Sequence, residues 1–158
     1  MVLRQAHAMG MTALLGWAAA AMSAFAFLPA SAQDNWSDVY SCGASKGRSY
    51  FMNGEGWQDD GISSGVIVLR RRRGDEFDIL IGDASGKSFS AREDAARVIG
   101  REQDGVIQVL AVYPSMTIET FLFSKPDRGR STLAWTSSKQ AYGVADRASV
   151  FVAACIVR

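Results

Sequence analysis

The hydrophobic residues form one long run near the amino terminus, followed by many short runs. Met9 to Leu28 is almost continuously apolar, whereas later runs such as Val66–Leu69 and Val109–Tyr113 are short and separated by Gly, Asp, Asn, Ser and Pro. Short apolar runs with this punctuation are typical of antiparallel β-strands, and helical periodicity is nearly absent. The pattern predicts a mainly β domain that follows a hydrophobic leader.

The leader has the three parts of a secretory signal peptide. Arg4 is its only certain charge and no acidic residue precedes Asp34, while Pro29 ends the apolar run. Ala30-Ser31-Ala32 places small residues where a signal peptidase requires them, so we expect cleavage before Gln33. The alternative is a retained anchor, because the run approaches the roughly 20 apolar residues that span a bilayer.

We therefore predict a signal peptide at 1–32, containing the signal helix, and a single exported β domain at 33–158, which is a usual size for one domain. All of the 17 Lys and Arg except Arg4 lie in the exported part, against 16 Asp and Glu, so its net charge is zero. No overall field attracts nucleic acid, and the later apolar runs are too short to cross a bilayer. We expect a periplasmic or secreted protein with no nucleic-acid partner and no membrane span in the mature form.

The expected fold is all-β and mainly antiparallel, either an up-and-down barrel or a small sandwich. A Gly- and Asp-rich loop is expected from Trp57 to Gly61, and Ser90 to Val98 is the single short helix candidate, because Ser90 and Glu93 resemble a capping box. About seven strands are expected, at Ser49–Met52, Ile62–Arg71, Glu76–Asp83, Val106–Tyr113, Thr117–Phe123, Ser131–Thr136 and Ala148–Val157.

Both cysteines lie in the exported part, near its two ends. Cys42 and Cys155 are an even pair in a compartment expected to be oxidising, which predicts one disulfide between them. A metal pair or two free thiols are the alternatives, although two cysteines without histidine make a poor transition-metal site. In a closed barrel or sandwich the first and last strands are neighbours, so the bond and the topology support each other.

Histidine chemistry is absent from the predicted mature protein. The only histidine, His7, lies in the signal peptide. This excludes Ser-His-Asp and Cys-His nucleophiles, His-ligated zinc and histidine acid–base catalysis. We predict no catalytic residue, no cofactor and no metal site from the sequence.

Four consecutive arginines are the most unusual feature of the chain. Arg70, Arg71, Arg72 and Arg73 end a strand, so alternate side chains point in opposite directions and cannot form one patch. Acidic residues at 75, 76 and 78 lie just across the turn, close enough for cross-strand pairs. The structural interpretation is a charged edge hairpin protected against aggregation; the functional one is a contact for an anionic ligand.

Carboxylates carry the remaining enzyme hypothesis. Asp59 and Asp60, with Glu119 or Asp83, are candidates for a hydrolytic carboxylate pair or a calcium site. A Ser-Lys mechanism at Ser137, Ser138 and Lys139 is a weaker idea, since these residues also suit a polar strand end. Trp57, beside Gly56 in a polar loop, is the candidate exposed aromatic residue.

The sequence favours a non-enzymatic exported module that binds an unknown small molecule, glycan or protein. A small carboxylate-dependent hydrolase is the alternative, and a protease-inhibitor-like barrel is the third hypothesis. An aromatic-lined barrel mouth would favour a small ligand, an acidic cleft would favour the enzyme, and a stiff protruding loop would favour the inhibitor.

Overall fold

The structure, a computed structural model, describes residues 35–82, 85–124, 129–141 and 144–158. The predicted signal peptide and its helix lie outside these residues, as does Asp83. The described residues contain no helix and form ten strands: β1 Ser37–Phe51, β2 Gly56–Ile62, β3 Val66–Arg72, β4 Glu76–Gly82, β5 Ser88–Ser90, β6 Arg97–Gln103, β7 Val106–Val112, β8 Thr117–Ser124, β9 Ser131–Ala141 and β10 Val144–Val157.

All ten strands belong to one antiparallel sheet that curls into a half-barrel. The hydrogen-bonded order is β5-β4-β3-β1-β10-β9-β8-β7-β6, so the chain meanders and its last strand pairs with its first. β1 is long enough to pair with β10 on one side and with both β3 and β2 on the other. A single curled sheet excludes the sandwich alternative and confirms the antiparallel meander.

Side chains alternate between a buried inner face and an exposed outer face, as the pleat of a strand requires. Phe121, Trp135 and Phe151 are register partners across β8, β9 and β10, and they form an aromatic row inside the barrel. The Phe121 and Trp135 rings stack with centroids 5.7 Å apart, and Trp135 lies 4.8 Å from Phe151. This row is part of the hydrophobic core.

The junction between β1 and β10 carries the predicted disulfide. Cys42 and Cys155 face each other in register, with Cα atoms 3.9 Å apart, and their sulfur atoms are bonded. Both half-cystines are buried in the core. The disulfide is confirmed, as is the expectation that the first and last strands meet. The bond is consistent with an oxidising extracellular or periplasmic environment.

The opposite junction, where β4 and β6 approach each other, has no strand ladder. Here the Phe77 ring packs against Gly100, where an added Cβ would lie only 2.3 Å from Phe77 Cδ2. Arg71 of β3 donates to the Glu102 carboxylate of β6. Side chains therefore close this part of the barrel where the backbone does not.

The strand count and the helix are corrections to the sequence prediction. The ten strands exceed the expected seven: β2 covers the expected loop, and β5 and β6 overlap the two ends of the expected helix, where the sequence predicts no strand. Ser90 does accept a hydrogen bond from the amide of Glu93, at 3.2 Å, as a cap would. A left-handed residue, Ala95 at φ 61°, then ends the turn, and the chain enters β6 instead of continuing as a helix. No described segment is a helix long and apolar enough to span a membrane.

Candidate ligand-binding site

A cavity of about 430 Å³ opens at one end of the half-barrel. Three inner rows of side chains build it from β8, β9 and β10. Trp135 and Phe151 of the aromatic row form its floor, and Glu119 lies above them in a polar row. The mouth is formed by Thr117, Lys139 and Arg147, which are again register partners. The other wall is apolar: Ile81, Phe89 and Ala91 lie beside the unpaired junction, and Ile62 comes from β2.

The polar row is fully buried. Glu119, Ser137, Ser149 and Ser49 occupy successive positions across β8, β9, β10 and β1, and each is at most 3% exposed. Ser137 donates a hydrogen bond to Glu119 Oε1 at 3.1 Å, and the hydroxyls of Ser49 and Ser149 are 2.6 Å apart. Burying polar groups is costly unless they are hydrogen-bonded, and the four side chains of this row meet that condition.

The buried carboxylate of Glu119 contacts two further side chains besides Ser137. The Tyr113 hydroxyl donates to Glu119 Oε2 at 3.2 Å, and Lys139 Nζ lies 3.6 Å from Oε1. Burial and the neighbouring Glu119 carboxylate, which also accepts its hydrogen bond, raise the pKa of Tyr113 well above its ordinary value. Tyr113 therefore stays protonated and acts as a hydrogen-bond donor at the cavity wall.

A second carboxylate, Asp60 on β2, lines the same cavity. Ser49 donates to Asp60 Oδ2 at 2.6 Å, and Arg147 Nη1 lies 3.5 Å from the same oxygen. The mouth thus contains two cations, Lys139 and Arg147, that lie directly opposite each other on neighbouring strands. Like charges in that arrangement destabilise a sheet, and here Glu119 and Asp60 offset the repulsion.

Trp135 adds an unused donor to the floor. Its side chain is 6% exposed and lines the cavity, and its Nε1 atom has no hydrogen-bond partner among the described residues. Buried indole N–H groups usually find a partner, so this unsatisfied donor is unusual.

The four arginines do not form the site. Arg70 and Arg72 lie on one side of β3, around the Trp36 ring, together with Arg92. The Asp78 carboxylate, which is fully buried, lies 2.5 Å from Arg70 Nη2 and also accepts a hydrogen bond from Ser90. Arg72 donates twice to Glu76.

The other two arginines point elsewhere. Arg71 stacks 4.9 Å from the Phe77 ring and pairs with Glu102, while Arg73 is exposed at the turn. The predicted alternation and the cross-strand pairing with Glu76 and Asp78 are both present. The carboxylates therefore offset much of the charge that an anionic ligand would use.

The remaining candidates are dispersed. Asp59 is on the outside of β2 and pairs with Arg48, with Nε 3.3 Å from Oδ1, and Ser138 is exposed on the outside of β9. Trp57 is 55% exposed and makes an edge contact with Tyr50. Within the described ranges, no three His, Cys, Asp or Glu side chains form a group that could hold a metal ion.

Sequence reasoning combined Asp60 with Glu119 as candidate carboxylates, and Ser137 with Lys139 as a weaker Ser-Lys idea, but it did not join the two pairs in one site. Tyr113 and Arg147 were missed as site residues, and Trp135 received no site role. One signal was available: Glu119 has the same parity along β8 as Phe121 and Phe123, which places a carboxylate on the core-facing side of the strand. A search for known relatives found no matching family model, curated protein or solved structure.

Proposed function

We propose that this protein is an exported binding module that holds a small amphipathic ligand in the cavity of the half-barrel. One observation carries the proposal: the cavity joins two floor aromatics, Trp135 and Phe151, and an apolar wall to hydrogen-bonding groups that include Tyr113 and the buried Glu119. Its volume of about 430 Å³ lies within the range of small-molecule sites, which combine apolar lining with a few placed polar groups.

The chemistry of the lining defines the ligand class. Asp60, Asp94 and Glu119 face Lys139 and Arg147, so both signs of charge are present and nearly balanced. Such a lining suits a ligand without strong net charge that offers both donors and acceptors. The apolar part of the ligand would lie against Ile81 and Phe89. An acceptor group of the ligand could accept a hydrogen bond from the unpartnered Nε1–H of Trp135.

A neutral fluorescent probe, N-phenyl-1-naphthylamine, tests the cavity directly. Its emission should rise on mixing with the purified protein and should stay low with Thr117→Trp, which places a large ring at the partly exposed mouth. Leu122→Asn is the matched control, because Leu122 lies on the outer face in a separate apolar groove. Thermal unfolding of both variants checks that the fold is intact.

Native mass spectrometry of protein purified from its own host complements the probe. The intact protein should retain a small molecule that Thr117→Trp does not retain. No emission change and no retained mass, or equal probe binding by Thr117→Trp, would refute a ligand site in this cavity.

A carboxylate-dependent hydrolase is the second candidate, because Asp60 and Glu119 line one cavity. Each already accepts hydrogen bonds and contacts a cation, which favours a structural and ligand-positioning role over acid–base work. Release of 4-nitrophenol from a panel of 4-nitrophenyl glycosides, abolished in both Asp60→Asn and Glu119→Gln, would favour the hydrolase over the binding module.

A further inference from the structure

The outward-facing side chains of β8, β9 and β10 form a largely apolar surface that we call the ridge face, and it includes one side of the apolar groove that Leu122 lines. Val150, Val152 and Ile156 are each at least half exposed, and Ile118 and Leu122 lie two strands away. The ridge face comprises Ile118, Thr120, Leu122, Ser124, Thr132, Ala134, Thr136, Ser138, Ala148, Val150, Val152, Ala154 and Ile156. It contains no charged side chain, and exposed apolar patches of this kind mark interaction surfaces.

The polar groups of the ridge face largely satisfy one another. The hydroxyls of Thr120 and Thr136 hydrogen-bond across β8 and β9, and those of Ser124 and Thr132 are 2.9 Å apart. A hydroxyl that already has a partner costs less to remove from water than a free one. The ridge face can therefore be covered by an apolar medium at low desolvation cost.

Basic side chains flank the ridge face on both sides. Lys46 and Arg48 of β1 are the register partners of Val152 and Val150, and Arg97 and Arg101 lie outward on β6. Arg48 pairs with Asp59 at 3.3 Å, whereas Lys46, Arg97 and Arg101 have no ion pair among the described residues. Three basic side chains without an ion pair in the described part of the chain therefore lie beside the ridge face, although the predicted mature chain is neutral.

An aromatic pair marks one corner of the same surface. Tyr50 is the register partner of Ala148, and its ring meets Trp57 edge-on with centroids 5.4 Å apart. The Arg48 guanidinium lies 5.8 Å from the centroid of the Trp57 ring. Exposed Trp and Tyr beside basic residues are typical of side chains at the headgroup level of a membrane.

We propose that the ridge face docks this protein on the surface of a bilayer that contains anionic lipids. The ridge face would enter the interface by roughly 5–10 Å, the depth that apolar faces of interfacial elements reach. Lys46 on one flank and Arg101 on the other are long enough to extend towards headgroups on either side. Attraction to anionic lipid acts over about a Debye length, so local charge decides the contact.

Vesicle sedimentation tests the proposal with two lipid compositions. The purified protein should sediment with phosphatidylcholine vesicles that contain about 30% phosphatidylglycerol and should bind pure phosphatidylcholine vesicles much more weakly. Lys46→Gln/Arg101→Gln and Val150→Asn/Val152→Asn should each reduce binding by about tenfold or more. Val66→Asn is the matched control, since Val66 is 44% exposed on β3, outside the ridge face.

Quenching of tryptophan fluorescence by brominated lipid locates the contact. Emission of the unmodified protein should be quenched by anionic brominated vesicles, and Trp57→Phe should remove most of that quenching while leaving sedimentation measurable. The proposal would be overturned if the protein bound neither vesicle type, or if Lys46→Gln/Arg101→Gln and Val150→Asn/Val152→Asn both bound as well as the unmodified protein. So would a solution dimer that the Val150→Asn/Val152→Asn variant abolishes, because a second copy would then cover the ridge face.

Discussion

The half-barrel has two junctions that are built in opposite ways. At the first, β1 and β10 share a long ladder of backbone hydrogen bonds and the disulfide between Cys42 and Cys155. At the second, β4 and β6 share no ladder, and Phe77 packed on Gly100 bridges the gap together with the Arg71–Glu102 pair. One junction is closed by the backbone and a covalent bond, and the other by side chains.

The two junctions have different roles: the first stabilises the domain, and the second contributes to the cavity. The ladder junction buries the disulfide and holds the ends of the domain together. The unpaired junction leaves room beside it, and its neighbours Ile81, Phe89 and Ala91 become one wall of the cavity. At this junction the wall is therefore built from side chains, and the cavity opens at the end of the half-barrel beside Lys139 and Arg147.

Among the changes that test this comparison, loss of the disulfide should have the largest effect on the free energy of unfolding. The bond links residues 113 positions apart, for which the chain-entropy model gives about 4–5 kcal/mol of stabilisation as an upper figure. Cys155→Ser should lower the free energy of unfolding by several kcal/mol in a denaturant titration. The reducing agent that destabilises the unmodified protein should have no effect on Cys42→Ser/Cys155→Ser. A stability unchanged by reduction would contradict the role assigned to this junction.

Crowding the unpaired junction should have the next largest effect. Gly100→Ala places a methyl group 2.3 Å from Phe77 Cδ2, and overpacking of this kind costs about 1–3 kcal/mol. Gly43→Ala is the control, because nothing lies within 4 Å of its added Cβ, and it should stay within about 0.5 kcal/mol. Adding Phe77→Leu should recover part of the loss; equal stability of the two alanine variants would show that the junction is loose.

Tyr113 tests the cavity end of the unpaired junction. Burial raises the pKa of this phenol above its unfolded value near 10, so the folded state resists its ionisation. That stabilisation is present below pH 10 and is lost as the pH rises further. Between pH 9 and 11.5, the free energy of unfolding should fall more steeply for the unmodified protein than for Tyr113→Phe. Near neutral pH, Tyr113→Phe should be less stable by about 1 kcal/mol, because it lacks the hydrogen bond to Glu119. If the free energies of unfolding of the two proteins fell in parallel over this pH range, the raised pKa of Tyr113 would be contradicted.

The ion pair between Arg71 and Glu102 should contribute least. Both side chains are partly exposed, and such pairs contribute about 0–1 kcal/mol. A double-mutant cycle with Arg71→Gln and Glu102→Gln should give a coupling free energy below about 1 kcal/mol that decreases at high salt. A larger coupling would mean that this pair, and not Phe77, closes the junction.

The sequence predicted the elements whose local pattern agrees with their final environment. The hairpin of β3 and β4 and the strands β7 to β10 have alternating or continuous apolar residues between clear turns. The disulfide followed from compartment and topology. β2 was missed because Gly-Trp-Gln-Asp-Asp-Gly-Ile resembles a loop, and only its pairing with the long β1 makes it a strand.

The site was harder to predict because it depends on register. Glu119, Ser137, Ser149 and Ser49 are far apart in sequence and individually ordinary for a strand. Three successive pairings, β8 with β9, β9 with β10 and β10 with β1, place them in one buried row. A pattern read along one strand gives the parity of each residue, but it does not give the offset between strands.

The pairing of β1 with β10 also determines when this protein can fold. Cys42 is synthesised 113 residues before Cys155, which at typical rates of 5–20 residues per second is roughly 6–23 s earlier. Throughout that interval the longest strand has no partner for one of its edges. The central ladder is therefore a contact of high sequence separation, which slows folding and delays it until translation of the domain is nearly complete. A nascent chain stalled before Ala148 should remain accessible to protease and to chaperones.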